Sequence, residues 1–294
     1  MPYPFAANEP QTPEQREAAL RKARELLQSA DRVLIGAGAG LSTAAGLDHG
    51  GKRFQEEFPA FVERYGMTDS YSGGFFPFPT LEDLWAFWGR NATVNCLGVD
   101  AMALYRALYD WARTRDYFVI TTNVDEQFEK AGFSPERIFA TQGSYAEIQC
   151  VTGEHGIRRA DELYARIEED TGHGARTRIS DSSLVPVCDV CGRPMTTHLR
   201  VDDRFVQDDA WYDAEKRYRS FVAEIPEKPT LLLELGVGFN TPVWIRMPFE
   251  RIAKQTGSPL VRMNFDSADV DPSLEHAVGI QGDMAQTLPV VLGG

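Results

Sequence analysis

The sequence predicts an α/β fold: a mostly parallel sheet with helices on both faces, plus a smaller helical and cysteine-bearing insertion module. Three observations carry that reading. A buried apolar run turns into closely spaced glycines at residues 33–40, apolar runs then alternate with helical patterns, and a late polar stretch holding a cysteine pair interrupts the alternation. The 294 residues suffice for a large domain carrying a smaller one, and 43% hydrophobic with 25% charged residues is the composition of a folded, soluble chain.

The elements follow in order. Thr12 can cap a first helix, with Pro13 at its first position and Gln15 placed to reach back. Ala19, Leu20, Ala23, Leu26 and Leu27 share one face at helical spacing, so that helix lies on a core. Arg32–Ile35 reads as a short buried strand ending in the glycine turn. From Gly46 to Gly98 the pattern loosens into a helical insertion over the mouth of the sheet, rich in aromatic residues that packing explains better than a ligand does. Order returns with a helix near Asp100–Thr114, a strand over Tyr117–Thr122 and another over Arg137–Thr141. Residues 143 to about 225 form the polar segment, with few β-runs. Strands at Thr230–Leu235 and Leu260–Phe265 close the chain, and a helix begins between them at Thr241–Pro242, again a cap followed by proline. The result is one domain over 1–294. Its large lobe comes from about 12–47, 99–142 and 226–294, its small lobe from the insertions 48–98 and 143–225.

Charge and cysteine usage narrow the function classes. A net charge of -13, with only isolated basic pairs, predicts no nucleic-acid partner, because a phosphate backbone favours a clustered basic face. No apolar run approaches the ~20 residues that cross a bilayer, so no membrane association is expected. Met1 to Gln11 lacks a basic stretch followed by an apolar one, and four cysteines fit a reducing compartment, which together predict a cytoplasmic protein.

The residues with chemical potential cluster at strand ends. In Val33 to Gly46, a strand, a turn of small residues and a helix start can bring backbone N–H groups against a pyrophosphate, a Rossmann-like arrangement. The strict dinucleotide pattern fails, since Leu41 stands where the third glycine belongs. Thr121-Thr122-Asn123-Val124-Asp125 sits where a strand ends, so an amide and a carboxylate can address a carboxamide and a ribose from one turn; Asn123 as a plain helix cap is the competing reading. Cys188-x-x-Cys191 is a metal knuckle whose partner is incomplete, with only Cys150 and with Gly153 where another cysteine is expected. His155 can supply the fourth zinc ligand, His173 less well, and Cys96 reads as packing.

Taken in order, these motifs resemble the sirtuin family. Gly38-Ala39-Gly40-Leu41-Ser42-Thr43-Ala44-Ala45-Gly46 is similar to the family's glycine opening, Thr122-Asn123-Val124-Asp125 to its Q-N-[IV]-D core, and Gln142-Gly143-Ser144 stands where H-G-[ST] is expected. Gly236-Val237-Gly238, Asn264 and Gly282-Asp283 match later stations, so the resemblance spans about residues 32–285. It implies NAD as cofactor, with Gly38, Ala39, Gly40, Ser42 and Gly46 at the pyrophosphate. It places Thr122, Asn123, Asp125 and Gln142 at the nicotinamide ribose, and Gly236, Gly238, Asn264 and Asp283 along the adenosine. Arg53 and Phe54 replace the family's missing P-D-F-R run, Arg53 toward a phosphate and Phe54 over the ribose. The implied catalytic group is Asn123, Asp125 and Gln142.

The departure at 142 matters most. Deacylating sirtuins use the histidine there as a general base, and glutamine cannot take and release a proton near neutral pH. Together with Gly236–Pro242, Gln142 resembles the macrodomain-linked sirtuins, which implies a protein ADP-ribosyltransferase with a protein substrate and a macrodomain hydrolase as partner. A lysine deacylase that tolerates Gln142, or a non-enzymatic sensor of NAD or ADP-ribose, are the other readings.

Overall fold

A computed structural model describes residues 10–239 and 242–293. Helix α1 (Pro13–Ser29) starts as expected, with the Thr12 and Gln15 side chains capping each other's backbone and Ala19, Ala23 and Leu27 buried. Strand β1 (Arg32–Ala37) is buried at every position and runs into α2 (Ala39–Ala45). The insertion is helical: α3 (Gly51–Glu57), α4 (Pro59–Tyr65), α5 (Ser70–Gly74) and α6 (Leu81–Ala92), the last ending in a π-turn over Thr93–Leu97. Then come α7 (Ala103–Ala112), β2 (Asp116–Thr121), α8 (Gln127–Ala131) and β3 (Ile138–Ala140).

Residues 143–225 hold more β-structure than the sequence suggested. Strand β4 (Gly143–Cys150) pairs antiparallel with β5 (Arg158–Arg159) and with β6 (Met195–Leu199), and α9 (Asp161–Thr171) lies between them in sequence. The alternation Ser144, Ala146, Ile148 on the buried side of β4 is a period-two signal hidden among polar neighbours. Helix α10 (Asp209–Ala223) ends that segment, but it packs on β2 and β3 through Trp211 and Phe221, so the polar stretch is shared between two cores.

The chain finishes with β7 (Leu231–Leu235), α11 (Arg246–Thr256), β8 (Leu260–Asn264), β9 (Ala277–Gln281) and α12 (Met284–Leu292). The last strand and helix were not anticipated. The helix expected from Thr241–Pro242 starts later, at Arg246; Thr241 itself lies outside the described residues. The start is set by packing, since fully buried Ile245 and Phe249 press against Gly36, where a β-carbon would come within 2.4 Å of Ile245.

Six strands pair in the order β3-β2-β1-β7-β8-β9, all parallel. Side chains alternate across this sheet. Val33, Ile35, Val119, Leu233 and Val261 meet α1, α7, α8 and α12, while Leu34, Phe118, Ile120 and Leu232 meet α10 and α11. The small lobe has its own core around Phe54, Phe58, Phe61, Trp85, Phe87, Tyr164 and Ile167, so the aromatic insertion is packing, as read from the sequence. Residues at the carboxyl ends of β2 and β3 border one cavity with residues of β4 and β6.

Candidate active site

The glycine turn is built backbone against backbone. Gly38 N donates to Leu235 O (2.9 Å) and Gly40 N to Gly236 O (3.0 Å). A β-carbon at Gly38 or Gly40 would lie 2.8 Å from Gly236 atoms, and one at Gly236, whose φ is +62°, would lie 2.3 Å from Leu41 N. Two of the amides expected at a pyrophosphate are therefore turned inward to β7, and of the three turn residues Ala39 keeps an amide free of such pairing among the described residues. Gly46, at φ +112°, is in the left-handed conformation that ends α2.

Ser42 also departs from expectation. It is 1% exposed, and its hydroxyl donates to Asp125 Oδ2 (2.5 Å) and pairs with Tyr105 Oη (2.7 Å), so it orients Asp125 and does not present itself to a phosphate. Asn123 joins this cluster, its amide Nδ2 donating to Ser42 Oγ (3.1 Å) and to Tyr105 Oη (3.0 Å). Asn123 Oδ1, by contrast, is buried with no hydrogen-bond partner. A buried acceptor left unpaired is costly unless something arrives to donate to it. Burial raises the Asp125 carboxyl above its ordinary range, against the hydrogen bonds from Ser42 and the Gln127 amide (3.1 Å). Tyr105, held far above its usual range by burial and then by Asp125, is a neutral hydroxyl. Its place was not legible in the sequence, where it reads as one more aromatic on α7.

Strand register sets the rest. Thr121 pairs with Ala140, and Asn123 and Gln142 each stand two residues beyond that pair, at adjacent strand ends. Thr122 fixes the turn, its amide donating to Ala37 O (3.1 Å). Gln142 Nε2 donates to Thr141 Oγ1 (3.1 Å), and its carbonyl accepts from the Arg200 amide (3.1 Å). On the other side, Asn264 donates to Val237 O (3.0 Å) and accepts the Gly282 amide at its carbonyl (2.9 Å), which ties the ends of β7, β8 and β9 together. Gly238 has open space where a β-carbon would go, and Asp283 caps α12.

Two expected residues are placed elsewhere. Phe54 is 1% exposed and stacks on Phe58 at 4.6 Å inside the small lobe, so it covers no ribose. Arg53 is held by Asn95 Oδ1 (2.7 Å), Val94 O (2.5 Å) and Asp48 O (3.1 Å), which uses its donors within the lobe. His49, in the loop just ahead of α3, lies toward the Asn123–Asp125 turn instead. Its ring lies 6.4 Å from that of Tyr145, whose amide donates to Val124 O (2.9 Å). His49 Nδ1 is buried and unpartnered, and burial lowers the imidazole's pKa.

The metal set predicted from sequence does assemble. Ligand atoms of Cys150, His155, Cys188 and Cys191 all lie within 4.8 Å of one another, with Cys150 Sγ 3.6 Å from Cys191 Sγ and Cys188 Sγ 3.4 Å from His155 Nδ1. Ligands ~2.3 Å from a tetrahedral zinc stand about 3.8 Å apart, so three thiols and an imidazole here fit that ion. His173 is 74% exposed and faces Glu168 instead. Gly153 is glycine for steric reasons, with φ +73° and a virtual β-carbon 2.7 Å from Arg204 O. Cys96 is buried in packing, away from this cluster.

No protein-family model matches the chain. It is 28% identical over 273 residues to a protein ADP-ribosyltransferase of Staphylococcus aureus, covering 92% of this chain and 85% of that one. It is 31% identical to a probable bifunctional ADP-ribose hydrolase/ADP-ribosyltransferase of Fusarium oxysporum f. sp. cubense, over 94% of this chain and 48% of the other, so it spans about half that relative's length. An NAD-dependent protein deacylase of Pseudomonas putida is 22% identical over 93% of both chains. Among solved structures, a complex of a Sir2 homologue with NAD aligns at TM-score 0.57 (17% identity, 92% of both chains). Sir2Tm bound to a propionylated peptide aligns equally well, at TM-score 0.57 (16% identity, 92% of this chain and 96% of that one). The fold is that of the sirtuin structures, and the relatives in sequence are named as ADP-ribosyltransferases and as a deacylase. No helix among the described residues is long and apolar enough to cross a membrane.

Proposed function

We propose that this sirtuin-fold chain is an NAD-dependent protein ADP-ribosyltransferase, which cleaves the nicotinamide–ribose bond and passes ADP-ribose to a protein acceptor. One observation carries the choice of reaction: Gln142 occupies the strand end beside Asn123, where a deacylase needs a proton-accepting histidine. Direct transfer asks less of that position, because the acceptor side chain itself attacks the sugar.

The residues present suit NAD, which supplies, when bound, a cationic leaving group and the ADP-ribosyl unit. Asn123 Oδ1 is an unpaired acceptor for a carboxamide N–H or a ribose hydroxyl. Asp125, oriented by Ser42 and the Gln127 amide, sets a carboxylate beside the place where positive charge develops on the sugar. Gln142 can hydrogen-bond a ribose hydroxyl or the acceptor without exchanging its proton. Ala39, Gly236, Gly238 and Asn264 form the floor for the phosphates and adenosine. Zinc in the Cys150, His155, Cys188, Cys191 set has a structural role, since all four ligands are protein groups. The cytoplasm is the proposed compartment. A macrodomain hydrolase is the proposed counterpart, a pairing supported by the Fusarium relative, whose name joins both activities.

Radiolabelled NAD incubated with the protein and cell lysate tests this. Label transferred to protein, with nicotinamide released, is expected. Deacylation of an acyl-lysine peptide instead supports the second reading, for which His49, buried with an unpaired Nδ1 near the catalytic turn, is the observation in favour. Tight NAD binding without nicotinamide release marks a sensor.

A further inference from the structure

Glu126, directly after Asp125, adopts the left-handed conformation (φ 57°, ψ 22°). Among the described non-glycine residues only His173, in an exposed turn, also has positive φ. That conformation is strained for a residue with a side chain and persists only where the surroundings impose it. Here the side chain is tied twice at Oε1, by Ser144 Oγ (2.6 Å) and by Arg159 Nη1 (2.6 Å). Arg159 is held in turn by Asp161, which accepts from Nε (2.9 Å) and Nη2 (2.7 Å). The turn also borders a cavity of about 350 Å³, lined by Glu126, Ser144, Glu147 and His198 together with Phe128, Ile138 and Trp211. These tethers hold the Glu126 side chain, between Asn123 and Asp125 on one side, fixed by Ser42 and Tyr105, and the buried Gln127 and Phe128 on the other.

We infer that Glu126 and Arg159 are a positioning pair: from β5 of the small lobe, Arg159 holds Glu126 in its left-handed turn and so aims Asn123 and Asp125. Neither residue touches the reacting groups. Rotating the Glu126 backbone to an ordinary region would swing the next peptide unit and move the Gln127 amide off Asp125 Oδ1. The pair also reaches the metal module, because Arg158 beside it bonds Asp189 (2.9 Å) inside the Cys188–Cys191 turn. The inference rests on the reading that Asn123 and Asp125 face the nicotinamide ribose. Arg159 is 50% exposed in its pairs with Glu126 (19%) and Asp161 (47%), so both pairs are screened by solvent on the arginine side and a fold-wide effect of losing them is not expected.

The test compares Arg159→Met, Arg159→Lys, Glu126→Gly and the Glu126→Gly/Arg159→Met double variant. Arg159→Met should lower kcat for nicotinamide release about tenfold while the KM for NAD stays within about twofold, as loss of aim without loss of binding predicts. Arg159→Lys should recover part of that loss. Glycine is unstrained at this φ, so in the Glu126→Gly background Arg159→Met should cost less than about twofold. Hydrogen exchange of the 123–128 amides, measured without NAD, should quicken in Arg159→Met. Unchanged exchange in that variant, or an equal kcat loss in both backgrounds, overturns the pair. Absence of nicotinamide release from every variant and from the unmodified protein overturns the functional reading instead, and the exchange data still decide the pair.

Discussion

The two ends of the proposed dinucleotide floor are made by opposite means. At the β2 end, Ser42, Tyr105, Asn123 and Asp125 form a buried side-chain network that leaves one acceptor, Asn123 Oδ1, unsatisfied. At the β7 end, Gly38, Gly40 and Gly236 touch through main chain alone, and the side chains beneath are paired: Glu234 takes Arg262 at 2.7 and 2.9 Å, and Arg262 also reaches Glu250. The contrast teaches where chemistry and shape reside. On the proposed reading, chemistry sits in side chains and shape in the absence of side chains, so replacement should cost activity at the first end and stability at the second.

The strongest way to break that division is at Asn123. Asn123→Ala should cut nicotinamide release by about two to three orders of magnitude, as removal of a preorganised polar group in an enclosed site does, with the melting temperature nearly unchanged. Unaltered release would remove Asn123 from the site. Next comes Gly236→Ala, which at φ +62° and 2.3 Å from Leu41 N should destabilise the fold by about 3 kcal/mol and weaken NAD binding, both readable by calorimetry. A variant as stable as the parent would show that the two strand ends can part.

Asp125 sharpens the comparison by pH. Its folded-state pKa lies above the unfolded one, so the folded chain keeps the proton longer. The associated stability is full below the ordinary carboxylate range and is lost as pH rises through the raised value. On the proposed reading the charged form is the one that stabilises the developing sugar cation, so nicotinamide release should climb over the same interval. Asp125→Asn should abolish release and flatten both profiles, with a gain on the order of 1 kcal/mol in stability at neutral pH. Loss of stability in that variant would mean the carboxylate's hydrogen bonds outweigh its burial. The smallest effect is expected at Asn264, where Asn264→Ala removes the bond to Val237 O and should cost about 1 kcal/mol of stability and a few-fold in NAD affinity.

The sequence made the frame legible because its signals were local. Thr12 with Gln15 marked α1, and the glycine turn marked β1 and α2. The four metal ligands could be chosen because only certain residue types bind zinc. What stayed hidden depends on distant partners. Ser42 reads as a phosphate ligand until Tyr105, 63 positions on, is seen to meet it, and Phe54 reads as a lid until Phe58 is found stacked on it. Strand β4 hid because Gly143, Ser144, Glu147 and Gln149 are interspersed among its apolar residues, and β9 because its alternating Val278 and Ile280 make only a five-residue run at the sheet edge. Glu126 carries no sequence mark of its left-handed backbone, since glycine, the usual sign, is not there.

The contact among Gly38, Gly40 and Gly236 has one more implication. With no compressible layer between the two strand ends, the gap between the sugars of a dinucleotide bound as proposed would be gauged by peptide geometry itself. Drift in neighbouring side chains can retune what is grasped at either extremity, but it cannot lengthen the bridge between them. A ligand whose two halves are joined by a longer linker must bow outward over the turn, since the floor will not stretch to meet it.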